Sequence, residues 1–328
     1  MAETPDIPEP QQGSSPGNEG WGALSTEARN PASEGLDTLS TEDVAVLLLE
    51  EDLQGLEAAR RCSRGIAQAA IWAAETLAAG GVMMFAGAGT SGRLGILEAA
   101  ECPPTFGTDP EQIRAVIAGG PEAVFAAREG AEDVSSDGAA AAAQLRAGDL
   151  LIAISASSVT PFALGALAAA REKGARTILV TCTALSGVDA TAADLVLALD
   201  TGPEVLTGST RLKAGSATKA VLNAITTAAM VRLGKVYGNL MVDLRPGSAK
   251  LHDRALRIIQ TAGAVSREEA ERLYESTAGE VKTAIVMALC KLGPEVSRER
   301  LRAVGGHVRK AVAGPSVAES GTSENREE

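Results

Sequence analysis

Two short loops rich in glycine and hydroxyl side chains contain the residues best suited to binding an anion. The first is residues 87–94 (GAGTSGRL), where Thr90 and Ser91 stand at the expected start of a helix. Glycines let the backbone approach a ligand, and the N–H groups of a helix N-terminus attract negative charge. By itself this segment could equally be a tight strand–helix turn. Its spacing also differs from the G-x-G-x-x-G pattern of dinucleotide-binding proteins.

The second loop is residues 155–161 (SASSVTP), in which four hydroxyl side chains precede a proline that can begin a helix. N-capping of that helix would need only one hydroxyl. The surplus, which includes Ser155, Ser157 and Thr160, therefore favours a cradle for a monophosphate. Two such loops on one sheet edge are a more specific indication than either loop alone.

A pair of glutamates could supply acid–base chemistry. Glu101 lies in residues 100–104 (AECPP) and Glu132 in residues 129–133 (EGAED). We expect Glu101 to end the helix that begins at the glycine loop, where an acid opposes the helix dipole. A solvated surface acid is nevertheless the usual explanation for a glutamate in an acidic chain. The pattern of the sequence alone does not single out these two residues.

Alternating apolar runs and alanine-rich helical segments predict the framework that positions these loops. Near-continuous apolar runs are typical of a parallel sheet covered by helices on both faces. The alternation indicates a doubly wound α/β fold, in which ligands bind at the carboxyl ends of the strands. The strands are expected at residues 82–86, 114–118, 150–154, 177–182 and 195–199.

Helical patterns occupy the rest of the chain. Ser40 is the expected N-cap of a long helical stretch that reaches Gly80, with Gly55 as its expected interruption. A second long helix is expected over residues 209–233. Beyond residue 251 the patterns predict a small three-helix domain, which includes helices at 282–292 and 297–312. We therefore divide the chain into a disordered tail (1–24), an α/β domain with N-terminal helices (25–250), a helical domain (251–313) and an acidic tail (314–328).

Composition excludes several classes of function. The net charge of −12 argues against a nucleic-acid partner, which would require a basic face. The four cysteines are scattered, as in a reduced cytosolic protein, and do not form a disulfide framework or a zinc site. Residues 66–85 are apolar, but Gln68, Glu75 and the Gly80-Gly81 break argue against a membrane span. Without a recognisable secretory signal, we expect a soluble cytoplasmic protein.

Taken together, these features resemble the N-acetylmuramic acid 6-phosphate etherases of the sugar isomerase (SIS) domain superfamily. The similarity extends from about residue 26 to residue 312. It is carried by eight blocks in order: 26–31 (TEARNP), 87–94, 101–106 (ECPPTF), 117–120 (IAGG), 129–133, 202–210 (GPEVLTGST), 211–215 (RLKAG) and 235–243 (KVYGNLMVD).

The resemblance implies a SIS domain of about five strands with flavodoxin-like layers. It also implies cleavage of the lactyl ether of the phosphosugar by elimination and hydration, without a metal or redox cofactor. Glu101 and Glu132 fall on the family's catalytic glutamates. The implied phosphate contacts are Thr90, Ser91, Ser155, Ser157 and Thr160, and further substrate contacts are possible at Glu204, Ser209 and Lys213. A homodimer is also implied, with residues 235–243 contributing to its contact.

The chain departs from the family pattern at several positions. Ser158-Val159 stands where these etherases usually have Gly-Arg, which removes a cation beside the implied phosphate loop. Glu98 replaces a usual Asp, Thr218 a usual Gln, and residues 182–184 (CTA) a usual Cys-Asn-Pro. Two alternatives share the phosphate loops. A non-catalytic SIS-type sensor would not need Glu101 and Glu132, and an aldose–ketose isomerase would lack the ECPP and EGAED segments.

Overall fold

The computed structural model describes residues 24–314, except residues 190, 192, 245 and 246. Both predicted tails, apart from Leu24 and Gly314, lie outside this part of the chain. Five parallel strands form one sheet in the order β2-β1-β3-β4-β5, which confirms the doubly wound α/β prediction. Each strand lies within one residue of its predicted bounds: β1 Met83–Gly87, β2 Ile113–Ile117, β3 Leu150–Ile154, β4 Arg176–Thr181 and β5 Leu195–Ala198.

The strand order creates a crevice between the first and third strands. From β1 the chain crosses outward to β2 and then returns to β3 on the other side of β1. Gly87, at the end of β1, is level with both Ile117 and Ile154. Ligands of open α/β sheets bind at such a reversal, outside the carboxyl ends of the strands. Both hydroxyl-rich loops begin at this edge.

Helices cover both faces of the sheet because the strand side chains alternate between two apolar cores. Phe85 and Ile152 belong to one core, and Met84 and Leu151 belong to the other. The first core is completed by α1, α2, α3 and α6, and the second by α4 and α5. These helices are α1 Thr41–Arg61, α2 Ser63–Ala78, α3 Gly89–Phe106, α4 Ser135–Ala142, α5 Pro161–Glu172 and α6 Lys213–Arg232.

The first helical stretch is interrupted at Cys62 and not at Gly55, so that prediction was wrong. Ser40 does cap α1, since its hydroxyl accepts a hydrogen bond from the N–H of Asp43. A Cβ atom at Gly55 would lie 2.8 Å from Cγ of Lys213 in α6. Gly55 is therefore explained by the close approach of two helices rather than by a break.

The C-terminal region also differs from its prediction. Residues 249–314 contain five helices instead of three: α7 Ala249–Gly263, α8 Arg267–Ser276, α9 Val281–Cys290, α10 Pro294–Ala303 and α11 Val308–Ala313. The helix expected over residues 297–312 is divided because Gly305 and Gly306 both have positive φ, at 62° and 79°. These helices enclose a third apolar core. The domain bounds at residues 250 and 251 stay a prediction.

A short hairpin precedes these helices, formed by β6 Val236–Tyr237 and β7 Leu240–Met241. Tyr237, Leu240 and Met241 pack against the third core. The apolar side chains expected to contribute to a dimer contact are thus partly covered within their own chain. Within the described residues, no helix is long and apolar enough to cross a membrane.

Candidate active site

The loop after β3 is organised by its own hydroxyl groups. Ser155 is buried, and its Oγ lies 2.8 Å from Oγ1 of Thr160. The Oγ of Ser155 also accepts a 3.4 Å hydrogen bond from the N–H of Thr160, and the Oγ of Ser157 accepts one from the N–H of Val159. Helix α5 begins at Pro161 as expected, but Thr160 makes no side-chain capping bond to it. Capping therefore does not account for these hydroxyls.

Ser158 has a backbone conformation that favours glycine. Its φ is +68°, in the left-handed region. Its Oγ is buried and makes no hydrogen bond to any described residue. The usual glycine at this position of the family therefore has a conformational explanation, and the serine of this chain is the strained replacement.

The glycines of the loop after β1 bring α3 close to the sheet. A Cβ at Gly92 would lie 2.5 Å from Cγ1 of Ile117, and one at Gly87 would lie 2.9 Å from the N of Gly92. Thr90 and Ser91 lie in the first turn of α3, half-buried, and no side chain of a described residue caps this helix. Its first N–H groups are therefore free of a side-chain cap, as anion binding requires.

A cavity of about 440 Å³ opens beside the β3–α5 loop. Glu132 reaches it from a short 3-10 helix, Ala131–Asp133, which follows Gly130 at φ +73°. The cavity therefore joins Glu132 to Ser157 and Thr160, three of the residues singled out from the sequence. In the part of the chain that the structure describes, its lining residues are Leu24, Glu27, Glu132, Asp133, Ser157, Val159, Thr160 and Pro161.

Glu27 and Asp133 also line this cavity, and neither was expected from the sequence to be a site residue. Glu27 lies in the TEARNP block, and its Oε2 would be 3.2 Å from a Cβ atom at Gly208. Its membership of a block shared with the etherases was the only signal that could have found it. Three carboxylates thus line the cavity, and none of the described residues that line it is a cation.

Glu101 lies outside the lining of this cavity, exposed on α3. The expectation that it ends the helix was wrong, because α3 continues through Pro103 and Pro104 to Phe106 and ends at Gly107 in the left-handed conformation. The φ of proline is close to the helical value, so the two residues can remain within α3, although each lacks the N–H that would donate to the carbonyl four residues earlier.

Glu98, one turn before Glu101, is buried between α3 and α6. It accepts hydrogen bonds from Asn223 Nδ2, at 2.6 Å, and from Thr226 Oγ1. Burial raises its pKa above the ordinary value, and the nearby Glu101 raises it further. Burial also raises the pKa of the Cys102 thiol to about 12, so this thiol stays protonated beside the glutamates.

Two of the possible substrate contacts are engaged within the chain. Glu204 is buried and accepts hydrogen bonds from the N–H groups of Lys213 (3.1 Å) and Ala214 (2.9 Å), so it caps α6. The Nζ of Lys213 lies 2.5 Å from Oε2 of Glu51 in a buried ion pair. The helix expected from residue 209 therefore begins at Lys213, and Ser209 lies half-buried in the preceding turn. The role of these three residues in substrate binding stays a prediction.

Thr218, another departure from the family pattern, lies beside Cys182, which precedes the departures at Thr183 and Ala184. The Sγ of Cys182 is 3.5 Å from Oγ1 of Thr218, and Oγ1 of Thr183 donates to the carbonyl of Ala156. Burial raises the pKa of Cys182 to about 11. Within the described residues, no group of three or more His, Cys, Asp or Glu side chains could hold a metal ion.

This fold and these loops define a SIS-domain protein. Residues 129–228 match the family model of the SIS domain. Residues 66–171 match that of the glucokinase regulatory protein N-terminal SIS domain.

Similarity to several named proteins identifies the family to which this chain belongs. The N-acetylmuramic acid 6-phosphate etherase of Cutibacterium acnes is 48% identical over 289 residues, covering 88% of this chain and 95% of that protein. The etherase of Geobacillus thermodenitrificans is 47% identical over 297 residues, covering 88% and 98%. That of Rippkaea orientalis is 45% identical over 295 residues, covering 89% and 96%. The chain belongs to the N-acetylmuramic acid 6-phosphate etherase family and is a carbon–oxygen lyase.

Proposed function

We propose that this protein cleaves the lactyl ether of N-acetylmuramic acid 6-phosphate to give N-acetylglucosamine 6-phosphate and D-lactate. The observation that carries the proposal is the shared cavity of Glu132, Ser157 and Thr160. A carboxylate and a hydroxyl-rich loop at a helix N-terminus face the same space, of a size typical of small-molecule sites. The names of the relatives support this reaction over a sensor or an isomerase.

The reaction we propose is an elimination followed by a hydration. In the open-chain sugar the C1 aldehyde acidifies the proton at C2, and Glu132 removes it. The electron pair forms a double bond between C2 and C3, and the bond from C3 to the lactyl oxygen breaks. Glu101 protonates that oxygen as lactate leaves. Water then adds at C3 and a proton returns to C2, so atoms and charge balance without a redox step.

The phosphate would be held chiefly by neutral donors. Ser157 and Thr160 line the cavity, and the hydroxyl of Ser155 is hydrogen-bonded to that of Thr160. Thr90 and Ser91 lie at the N-terminus of α3, where unpaired N–H groups stabilise an anion. Because the lining contains three carboxylates and Val159 replaces a usual Arg, this arrangement has to overcome an unfavourable local charge.

We also propose that the protein acts in the cytoplasm as a homodimer. Its four cysteines are free thiols, as in reduced cytosolic proteins. Large apolar side chains are exposed on its surface. Phe125 is 93% exposed on the segment before Glu132, and Leu97 is exposed one turn before Glu101. Exposed apolar surface of this kind supports a contact with another chain.

Incubation of the full chain with N-acetylmuramic acid 6-phosphate, followed by an enzymatic assay for D-lactate, tests the reaction. We expect the native protein to release lactate and the Glu132→Gln variant to be slower by about 10²–10⁴-fold, the usual contribution of a catalytic acid or base. Glu129→Gln, an exposed change in the same segment, is the matched control and should keep its rate. Absence of lactate with the native protein would overturn the proposal.

A further inference from the structure

The C-terminal helices border a second cavity, which the proposed reaction does not use. It lies between residues 242–244, which follow β7, the first turn of α9 and the second half of α10. Its volume is about 420 Å³, close to that of the cavity beside the β3–α5 loop. The two cavities have no described lining residue in common. We call this second space the C-terminal cavity.

The C-terminal cavity lies in a basic part of an acidic chain. Residues 281–314 contain seven Lys and Arg side chains against two Glu, although the whole chain has a net charge of −12. The charged residues that line the cavity are Lys282, Arg298, Arg302, Asp243 and Glu280. Cations thus outnumber acids in this described lining, and a local excess of positive charge in a cleft attracts anions.

Two lysines share the carboxylate of Asp243 beside the cavity. The Oδ2 atom of Asp243 lies 2.6 Å from Nζ of Lys282 and 3.0 Å from Nζ of Lys235. Among the described residues, no other acid pairs with either lysine. Burial lowers the pKa of Lys282, and the charge of Lys235 lowers it further, although Asp243 opposes both effects. One carboxylate therefore leaves one ammonium charge without compensation, and a bound anion would compensate it.

Arg302 is an arginine of the lining that has no acidic partner in the part of the chain that the structure describes. It is exposed, and Glu299, three residues earlier on α10, does not pair with it. Arg298, the other arginine of the lining, is instead paired with Glu280 at 2.8 Å and with Glu295 at 2.6 Å. A ligand could therefore bind the guanidinium of Arg302 without breaking an existing ion pair.

The first turn of α9 adds backbone donors to these cations. Val281, Lys282 and Thr283 form this turn and line the cavity. The residue before them, Glu280, makes no side-chain capping bond to the helix. Its Oε2 accepts instead from Oγ1 of Thr283, at 2.7 Å, and from Arg298. Because uncapped N–H groups at a helix N-terminus attract negative charge, the backbone and the side chains favour the same kind of ligand.

Apolar side chains form the rest of the wall. They are Val242, Leu244, Val281 and Leu301, which belong to the third core. A simple ion would leave their cavity-facing surface against water, whereas an organic group would cover it. A space of this size and mixed lining is typical of sites for small organic molecules.

We propose that the C-terminal cavity binds a small phosphorylated organic molecule, whose phosphate contacts Lys282, Arg302 and the N–H groups of the first turn of α9. A phosphate has enough acceptor oxygens for all three kinds of donor and carries about two negative charges at neutral pH. The organic group would lie against the apolar wall. This site does not depend on the etherase reaction or on the homodimer.

NMR of the full chain with phenyl phosphate tests the location of the site. This probe combines a phosphate with an apolar ring. We expect the backbone amide signals of Val281, Lys282 and Thr283 to move as the probe is added, because these N–H groups would donate to the phosphate. Signals that stay fixed up to about 10 mM, where even millimolar affinity would saturate the site, would overturn the proposal.

Substitution of Arg302 tests the cation that carries the proposal. Arg302→Ala should raise the Kd obtained from these signals about fivefold, the usual effect of losing a partly exposed charged contact. The fold should be kept, since this side chain has no described partner. Arg300→Ala removes the same charge from α10 outside the described lining, so it is the matched control and should leave the Kd unchanged. Equal Kd values for the two variants would contradict the assignment.

Two further probes test the chemistry of the ligand. Benzoate carries a carboxylate on the same ring, and inorganic phosphate lacks the ring. Each should bind at least fivefold more weakly than phenyl phosphate, because each loses one part of the contact. Equal binding of benzoate would overturn the phosphate assignment, and equal binding of inorganic phosphate would overturn the organic group.

The lactate assay separates this site from the proposed active site. Arg302→Ala should release lactate from N-acetylmuramic acid 6-phosphate with the native KM, because Arg302 lies outside the cavity of Glu132. A raised KM in this variant would mean that the C-terminal cavity serves the etherase substrate, and would reject a separate site. A native chain that releases no lactate but shows the expected amide shifts would reject the etherase reaction alone.

Discussion

At the level of individual residues, the two glutamates differ in their position relative to the cavity. Glu132 shares a cavity with two hydroxyl side chains of the β3–α5 loop, whereas Glu101 lies outside that lining on the exposed side of α3. Proton removal at C2 must come before lactate leaves, while the acid is needed only as the lactyl oxygen gathers charge. The two roles can therefore be separated by experiment.

Exchange of the substrate's C2 proton with heavy water distinguishes the roles of Glu101 and Glu132. In heavy water, Glu101→Ala should still exchange the C2 proton of the substrate while releasing almost no lactate. Glu132→Ala should do neither, because the base is missing. Proton NMR of the sugar and a D-lactate assay measure the two events. The opposite pattern would mean that Glu101 is the base and Glu132 the acid. Full lactate release by both variants would contradict the mechanism.

Val159 is the departure with the clearest consequence for binding. It lines the cavity beside Ser157 and Thr160, where the family usually has Arg. We expect Val159→Arg to lower KM for the phosphorylated sugar by about fivefold, corresponding to ~1 kcal/mol for a partly exposed ion pair. The gain should shrink at ~1 M salt. Steady-state kinetics at two ionic strengths provide the measurement. A higher KM would mean that the arginine pairs with the cavity carboxylates instead of the phosphate.

Helix packing explains why a carboxyl group is buried at Glu98. Helix α3 can lie against α6 because Asn223 and Thr226 donate hydrogen bonds to Glu98 at the contact. Desolvation still disfavours its charged form, which raises the pKa. The contact between the two helices should therefore depend on pH.

The folded protein holds the proton of Glu98 more tightly than the unfolded chain does. The contribution of this group to the free energy of unfolding is therefore complete below its ordinary pKa and is lost as the pH rises through the folded value. Glu98→Gln cannot ionise. Its free energy of unfolding, measured in urea, should thus improve relative to the native protein from about pH 4 to pH 7. A difference between the two proteins that shrinks over this range would contradict the assignment.

At the scale of the molecule, the buried ion pair of Glu51 and Lys213 joins segments that are far apart in sequence. Glu51 in α1 accepts hydrogen bonds from Lys213 in α6 and from Asn30, at 2.5 and 2.8 Å. Asn30 also donates to the carbonyl of Pro203. The TEARNP segment, which brings Glu27 to the cavity, is thereby attached to two helices and to the loop before α6.

Removing one member of this pair should leave a buried charge without compensation. Lys213→Met is expected to lower the free energy of unfolding by about 3–5 kcal/mol. Adding Glu51→Gln should restore most of the loss, since the amide oxygen can still accept from Asn30. Urea unfolding measures both variants.

The same variants test the predicted role of Lys213 in substrate binding. If Lys213 serves only the fold, the double variant should have a native KM. A KM raised at least tenfold in the stable double variant would indicate contact with the substrate instead.

The sequence by itself determined the layers, the strands and the two hydroxyl-rich loops, since these depend on neighbours within a few residues. Apolar runs and turn residues predicted the five strands of the parallel sheet but not the short hairpin of β6 and β7. Family blocks selected Glu101 and Glu132. Only the tertiary structure decided which groups meet. In the structure, Glu27 and Glu132 line the same cavity, and Lys213 and Glu51 form a buried ion pair. Leu49 and Leu53 are exposed. These outcomes depend on the packing of distant segments, which no local pattern encodes. The identity of a charged or apolar residue does not reveal whether another element of the fold covers its side chain.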